Sequence, residues 1–237
     1  MPSTGDSLGP RLRTFRMAAQ RNVIWAAAPF VLLLAYVVWL GHEGQLLRWF
    51  NSMFSVGVVS ALFALAIVLI AYTAAVGGAE AVQIHALGIV DVRREPRAVR
   101  WDEMRSLLTV CSPSGAVLRH VLRSEDGAAM TLASSIGDVE ALVDEVRVRM
   151  LEHKAGALQA RVMGGGSVRF GAIEARSEGI LVGGKALPWS DLGDLEAEGG
   201  AIVVRDRSGH VVGQAPLGEV PNAFLLADLA ERQSAAG

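Results

Sequence analysis

Gly88-Ile89-Val90-Asp91-Val92, a basic turn and then Val99-Arg100-Trp101-Asp102-Glu103-Met104 have a counterpart further along the chain. There the order is Gly179-Ile180-Leu181-Val182-Gly183, a glycine turn, and Ala186-Leu187-Pro188-Trp189-Ser190-Asp191-Leu192. In each copy a short run of β-forming residues opened by Gly-Ile leads through a turn to Trp, with Met104 or Leu192 three places later. The echo continues in Val121-Leu122-Arg123-Ser124-Glu125-Asp126-Gly127 and Val203-Val204-Arg205-Asp206-Arg207-Ser208-Gly209, where a strand runs into a turn whose Gly lies four residues after the Arg. Repetition of several features in one order reads as a duplicated structural unit.

Each copy closes with an amphipathic helix. Val139, Leu142, Val143, Val146 and Met150 recur at helical spacing in the first, and Phe224, Leu225, Leu226 and Leu229 in the second. Asp138 and Asn222 stand where N-caps belong, and Gly156 reads as the first helix's stop. Acids Glu140, Asp144 and Glu145 precede Arg147, Arg149 and Lys154, which suits the helix dipole. Trp101 and Trp189 are expected to fill the two cores rather than to hold a ligand.

Strands followed by one closing helix, twice over, resemble the bacterial pleckstrin-homology-like (PH-like) domains. The resemblance rests on the Gly-Ile strands, the corners Trp101-Asp102-Glu103-Met104 and Trp189-Ser190-Asp191-Leu192, and the final helices, and it covers residues 80–232. It implies two tandem small PH-like units, each a bent antiparallel sheet closed by a C-terminal helix, over residues 79–157 and 158–237. Each copy is shorter than a eukaryotic pleckstrin homology domain, so either a strand is missing or the two share a sheet. Families of this kind commonly join such units to a two-helix membrane hairpin.

Upstream, hydropathy dominates. The chain of 237 residues is 51% hydrophobic and 19% charged, with a mean hydropathy of +0.37, and most of the excess lies between Asn22 and Gly78. Residues 22–41 carry no charge and are long enough, at ~1.5 Å per residue, to cross a hydrocarbon core of about 30 Å. A second uncharged run, 53–78, follows a short loop at 42–52. Both read as transmembrane helices, with Trp25 and Trp39 near the ends of the first and Pro29 inside it. Arg11, Arg13, Arg16 and Arg21 in a flexible tail over 1–21, and Arg93, Arg94, Arg97 and Arg100 after the second span, then orient the hairpin by the positive-inside tendency. The expectation is a multi-pass inner-membrane protein with cytoplasmic termini, its fold class a membrane α-helical hairpin plus an α+β soluble region.

Composition narrows the chemistry. The single cysteine, Cys111, excludes an intramolecular disulfide and any zinc site built on paired thiolates. A net charge of −2 gives no sign of a nucleic-acid binder. Gly5-Asp6-Ser7-Leu8 spells a serine-hydrolase signature, but that serine belongs after a buried strand with Asp and His downstream; a disordered tail is the better reading. His42, His85, His120, His153 and His210 are scattered, and Gly164-Gly165-Gly166 lacks the Lys-Ser/Thr of a P-loop. No catalytic residue, cofactor or metal site is expected, and the chain reads as non-enzymatic.

The polar cluster that stands out is Arg93-Arg94-Glu95-Pro96-Arg97-Ala98-Val99-Arg100, in a turn between two strands. Arg93, Arg94, Arg97 and Arg100 form a candidate contact for anionic lipid head groups, each worth roughly 1 kcal/mol beside an anionic surface. The competing reading is a solvated hairpin whose arginines partly pair with Glu95 and Asp91, and it is slightly favoured. The expected function is a membrane-anchored interaction module that binds a protein partner or anionic lipid head groups. The alternative is an accessory or regulatory subunit of a transporter or envelope-assembly complex, acting through small residues such as Gly57, Ser60, Ala64, Ala71 and Ala75 on the second span.

Overall fold

The computed structural model describes residues 6–18, 79–93 and 95–236, and between them the single positions Ala35, Ala61, Ala64, Leu65, Ile67, Val68, Ala71 and Tyr72, all helical and exposed. The described chain is mostly β, with fourteen strands in four antiparallel sheets. Strands β1 (Arg11–Arg16), β2 (Glu80–His85), β3 (Gly88–Asp91) and β4 (Arg97–Arg100) form one meander, and β5 (Met104–Cys111), β6 (Val117–Ser124) and β7 (Ala129–Ala133) a second. Helix α1 (Val139–Met163) follows. The order then repeats: β8 (Val168–Phe170), β9 (Ile173–Arg176), β10 (Gly179–Val182) and β11 (Lys185–Pro188), then β12 (Leu192–Glu198), β13 (Ala201–Asp206) and β14 (Val211–Pro216), then helix α2 (Ala223–Ala236).

The copies share their hydrogen bonds as well as their order. The indole N–H of Trp101 donates to the carbonyl of His85, the last residue of β2, at 3.2 Å, and that of Trp189 to the carbonyl of Arg176, the last residue of β9, at 2.9 Å. Both tryptophans are buried, and truncating such a side chain to Ala typically costs about 3–5 kcal/mol. The recurrent glycines have a steric cause. A Cβ on Gly88 would stand 2.4 Å from the carbonyl oxygen of Val99, and one on Gly179 2.1 Å from that of Leu187. Only glycine lets the strand before each Trp corner approach so closely.

The first unit begins before the apolar segment, not after it. Within Arg11–Arg16, Phe15 is buried and the arginines face outward, and β1 pairs with β2 through Thr14↔Gln83, Phe15↔Val82 and Arg16↔Glu80. The backbone N–H of Met17 donates to the carbonyl of Ala79 at 3.0 Å, so residues 18–78 leave and return at adjacent points. In the second unit the matching strands, paired at Phe170↔Ile173, are joined by Gly171-Ala172 alone. The stretch expected as a flexible tail over 1–21 thus supplies a core strand. Its Asp6-Ser7-Leu8 forms a 3₁₀ turn with Leu8 buried against Gly88, where a disordered tail was expected.

Helix α1 runs through Gly156, the expected stop, and ends at Gly164, whose N–H closes on the carbonyl of Ala160 at 3.0 Å. Its N-terminal half buries Leu142, Val146 and Met150 in the first core, whereas Ala155 and Val162 lie in the second. Glycine inside a helix costs roughly 1 kcal/mol, which burial of Val162 at about 1.5–3 kcal/mol offsets. The division expected between residues 157 and 158 falls inside this helix. Asp138 and Asn222 both precede their helices in the left-handed region, at φ 57°, and Asp138 gives no side-chain cap. Asn222 instead joins the units: its N–H donates to the carbonyl of Leu107 at 2.9 Å, its Oδ1 accepts from the N–H of Leu107 at 2.8 Å, and its Nδ2 donates to the carbonyl of Arg105 at 3.1 Å. The free edge of β5 is thereby covered.

The membrane expectation is corrected here. Among the described residues no helix is long and apolar enough to cross a membrane. Helix α1 carries acids and arginines along its length, and α2, with 14 residues, reaches only about 21 Å. A fold class built on a membrane hairpin, and with it a multi-pass inner-membrane location with cytoplasmic termini, gives way to a mostly β architecture. The segments 22–41 and 53–78, on which that expectation rested, lie outside the described residues apart from the isolated positions named above, as does the loop at 42–52.

Two outcomes follow for stability. Gly156 is exposed with open space around its Cα, so Gly156→Ala should raise stability by about 0.5–1 kcal/mol in urea denaturation, whereas Gly88→Ala should lower it by at least about 1–3 kcal/mol. Joining Met17 to Ala79 by a two-residue turn, in the manner of Gly171-Ala172, should leave both units folded, as judged by an unchanged strand signal in circular dichroism and cooperative unfolding.

Candidate functional site

The two sheets of the first unit separate at one end. There the β3–β4 turn faces β7 across a cavity of about 1110 Å³, whose lining includes Met17, Asp91, Arg93, Arg97, Met130 and Thr131. The register that pairs Asp91 with Arg97 across β3 and β4 places the basic turn at this rim.

The four arginines expected to act together have separate roles. Arg93 is tied to Asp91 by a fork, Nε to Oδ1 at 2.9 Å and one terminal nitrogen to Oδ2 at 2.6 Å, and its backbone N–H also reaches Oδ1 at 3.0 Å. The same terminal nitrogen donates to the carbonyl of Thr131 in β7 at 2.7 Å, so this guanidinium bridges the two sheets. Burial pushes the Asp91 carboxyl up, but the bonds from Arg93, helped weakly by Arg97, outweigh it and hold the group below its ordinary range. Arg100 lies on Asp102, Nε to Oδ1 at 3.1 Å, outside the cavity lining. Arg94 lies outside the described residues. Arg97 is exposed, lines the cavity and makes no ion pair within 4 Å among the described residues.

The rim is therefore electrically mixed. Glu95 shares the lining with Arg97, and the nearby Asp126 is held below the ordinary carboxylate range, first by the hydroxyl of Ser124 and more weakly by Arg97. Of the expected pairing partners, Asp91 takes Arg93 and Glu95 takes none of the described arginines within 4 Å. Reading the residues alone missed the carbonyl of Thr131, because the contact joins positions 38 residues apart and a main-chain acceptor leaves no mark in side-chain pattern.

Three of the histidines have partners close at hand. His85 bonds the carbonyl of Gly9 through Nδ1 at 2.9 Å, and His153 that of Arg149 at 2.8 Å. His210, expected to stand alone, has Nδ1 at 2.7 Å from Ser208 Oγ and 3.6 Å from Asp206 Oδ2, on an exposed turn in which Asp206 Oδ1 also accepts the N–H groups of Ser208 and His210. That is an Asx-type turn at the surface. Among the described residues no group of three or more His, Cys, Asp or Glu could hold a metal ion.

Fold and site together define a duplicated, mostly β protein with a half-open polar cavity in its first unit. The chain belongs to the Family of unknown function (DUF6585), whose model matches residues 2–236. No curated protein and no solved structure matches it.

The Asp91–Arg93 bridge has a pH signature. A carboxyl whose folded pKa is depressed contributes stability that is complete above its unfolded value, 3.8, and is lost as pH falls through the folded one. Asp91→Asn should therefore destabilise the chain by about 1–3 kcal/mol at pH 7, and the gap from wild type should close below pH ~3.8 in acid-titrated denaturation curves.

Proposed function

We propose that this chain is a non-enzymatic binding module of two PH-like units, and that the cavity of the first unit takes an anionic group: the phosphate of a head group or an acidic side chain of a protein partner. The observation that carries the reading is Arg97, exposed at the rim of an ~1110 Å³ cavity whose other described arginine, Arg93, is already committed to Asp91 and Thr131. The repeated order of four strands, three strands and a helix supports the PH-like assignment. Among the described residues the scarcity of convergent chemistry supports binding over catalysis: the Ser208–His210 contact sits on an exposed turn and lines no part of the cavity, and Arg93 and Arg100 are held in ion pairs.

Arg97, without an ion pair among the described residues and sharing the lining with Glu95, suits a small anion held with modest strength. Calorimetric titration of the chain with glycerol phosphate, and separately with a short acidic peptide, should give saturable binding to one of them. Arg97→Glu should weaken that binding roughly thirtyfold, since each cation beside an anionic partner is worth roughly 1 kcal/mol and reversal counts twice. Arg100→Glu, outside the cavity, should leave it unchanged. Absence of binding to both probes, or equal affinity in the Arg97 variant, refutes the assignment.

A further inference from the structure

A second cavity, of about 310 Å³, lies where the two units meet. Its volume is at the small end of the range of about 300–1,000 Å³ in which small-molecule sites fall. Its walls are mainly apolar: Leu107 from β5, Leu195 from β12, Ile202 from β13, and Val220, Phe224 and Ala227 from α2 and the segment before it. Against this background three polar side chains converge from the first unit. Thr109 and His120 are cross-strand partners on β5 and β6, and Arg147 projects from α1.

His120 is the informative member. It is buried, with 8% of its surface exposed, and Nδ1 bonds Thr109 Oγ1 at 3.0 Å. Its Nε2 makes no hydrogen bond among the described residues, and no fully enclosed side-chain nitrogen or oxygen among them lacks a partner, so Nε2 meets open space. The neutral ring has two tautomers at this contact: where the Thr109 hydroxyl donates to Nδ1 the proton sits on Nε2, and where Nδ1–H donates to Thr109 Oγ1 the Nε2 atom is an acceptor. Burial, and after it the charge of Arg147, lowers the His120 pKa and favours the neutral ring. Arg147 is half-buried and holds Asp144 through one terminal nitrogen at 2.9 Å, which leaves the rest of its fork for another acceptor.

We propose that this inter-unit cavity binds a small amphipathic carboxylate, a medium-length acyl chain with one acid head, with the chain among Leu195, Ile202, Phe224 and Ala227 and the carboxylate against Arg147 and His120. The chemistry follows from the lining. An apolar body is required because most of the wall offers no hydrogen bond, and an acceptor head is required because the polar end presents the donors of the Arg147 guanidinium beside the His120 ring. A neutral alcohol of the same length would fill the volume but forgo the charge-assisted bonds. The site is independent of the mixed-charge cavity of the first unit, because it shares no lining residue with it.

The test is calorimetric titration of the full chain with decanoate, decanol and butyrate. Decanoate should bind saturably at one site, with decanol and butyrate weaker by about tenfold or more, the scale of one lost charged hydrogen bond or a few buried methylenes. Ala227→Trp, which fills the apolar end, should abolish decanoate binding. Arg147→Gln, at a half-buried position, should weaken decanoate about tenfold and leave decanol unchanged, with the thermal midpoint of the free protein as the check on folding. Absence of saturable decanoate binding overturns the proposal, as does decanol binding as tightly as decanoate, or Arg147→Gln binding decanoate as wild type does.

Discussion

One helix serves two hydrophobic cores. Helix α1 buries Leu142, Val146 and Met150 in the first unit and Ala155 and Val162 in the second, so neither core is complete without the same rod of backbone. At 25 residues it spans about 37 Å, and its continuity through Gly156 fixes the distance between the units. Asn222 then fixes their orientation by pairing with the edge of β5 through its backbone and both side-chain polar atoms. The apolar cavity between the units follows from these two restraints, because its walls come from β5, β6 and α1 on one side and β12, β13 and α2 on the other.

The duplication was legible in the residues because its signals are local and steric. Gly88 and Gly179 recur because a carbonyl occupies the space a Cβ would need, and Trp101 and Trp189 recur because each closes its corner by donating to the end of an earlier strand. What escaped notice was long-range. Arg11-Leu12-Arg13-Thr14-Phe15-Arg16 looks like a basic tail by composition, and its one inward residue, Phe15, acquires meaning only opposite Val82. Each copy was expected to be short, with a strand missing or a sheet shared, and in the first copy a further strand lies on the far side of the apolar segment. Gly156 misled for a related reason: local propensity marks a stop, but burial of Val162 carries the helix past it.

The basic turn shows how little a charge cluster says about use. Arg93 bridges two sheets, Arg100 lies on Asp102, and Arg97 alone of the described three faces the cavity without an ion pair. Residue type was visible in the chain, but partner was not, because the Thr131 carbonyl and the Asp91 fork depend on how two sheets come together. The polar end of the second cavity was hidden in the same way. Thr109 and His120 are separated by a hairpin and Arg147 by a further strand and turn, and the apolar wall belongs to the other unit.

The pairing of β1 with β2 imposes an order on how the molecule is made. Synthesis delivers Arg11–Arg16 first, yet its neighbour in the sheet is not available until Glu80–His85 has left the ribosome, whereas the strands of the second unit each follow their partner within a few residues. The earliest strand is thus the one that waits. Contacts across so long a stretch of chain form slowly compared with local hairpins, so Phe15 stays uncovered at least until Val82 has been made, while each strand of the second unit finds its neighbour almost at once.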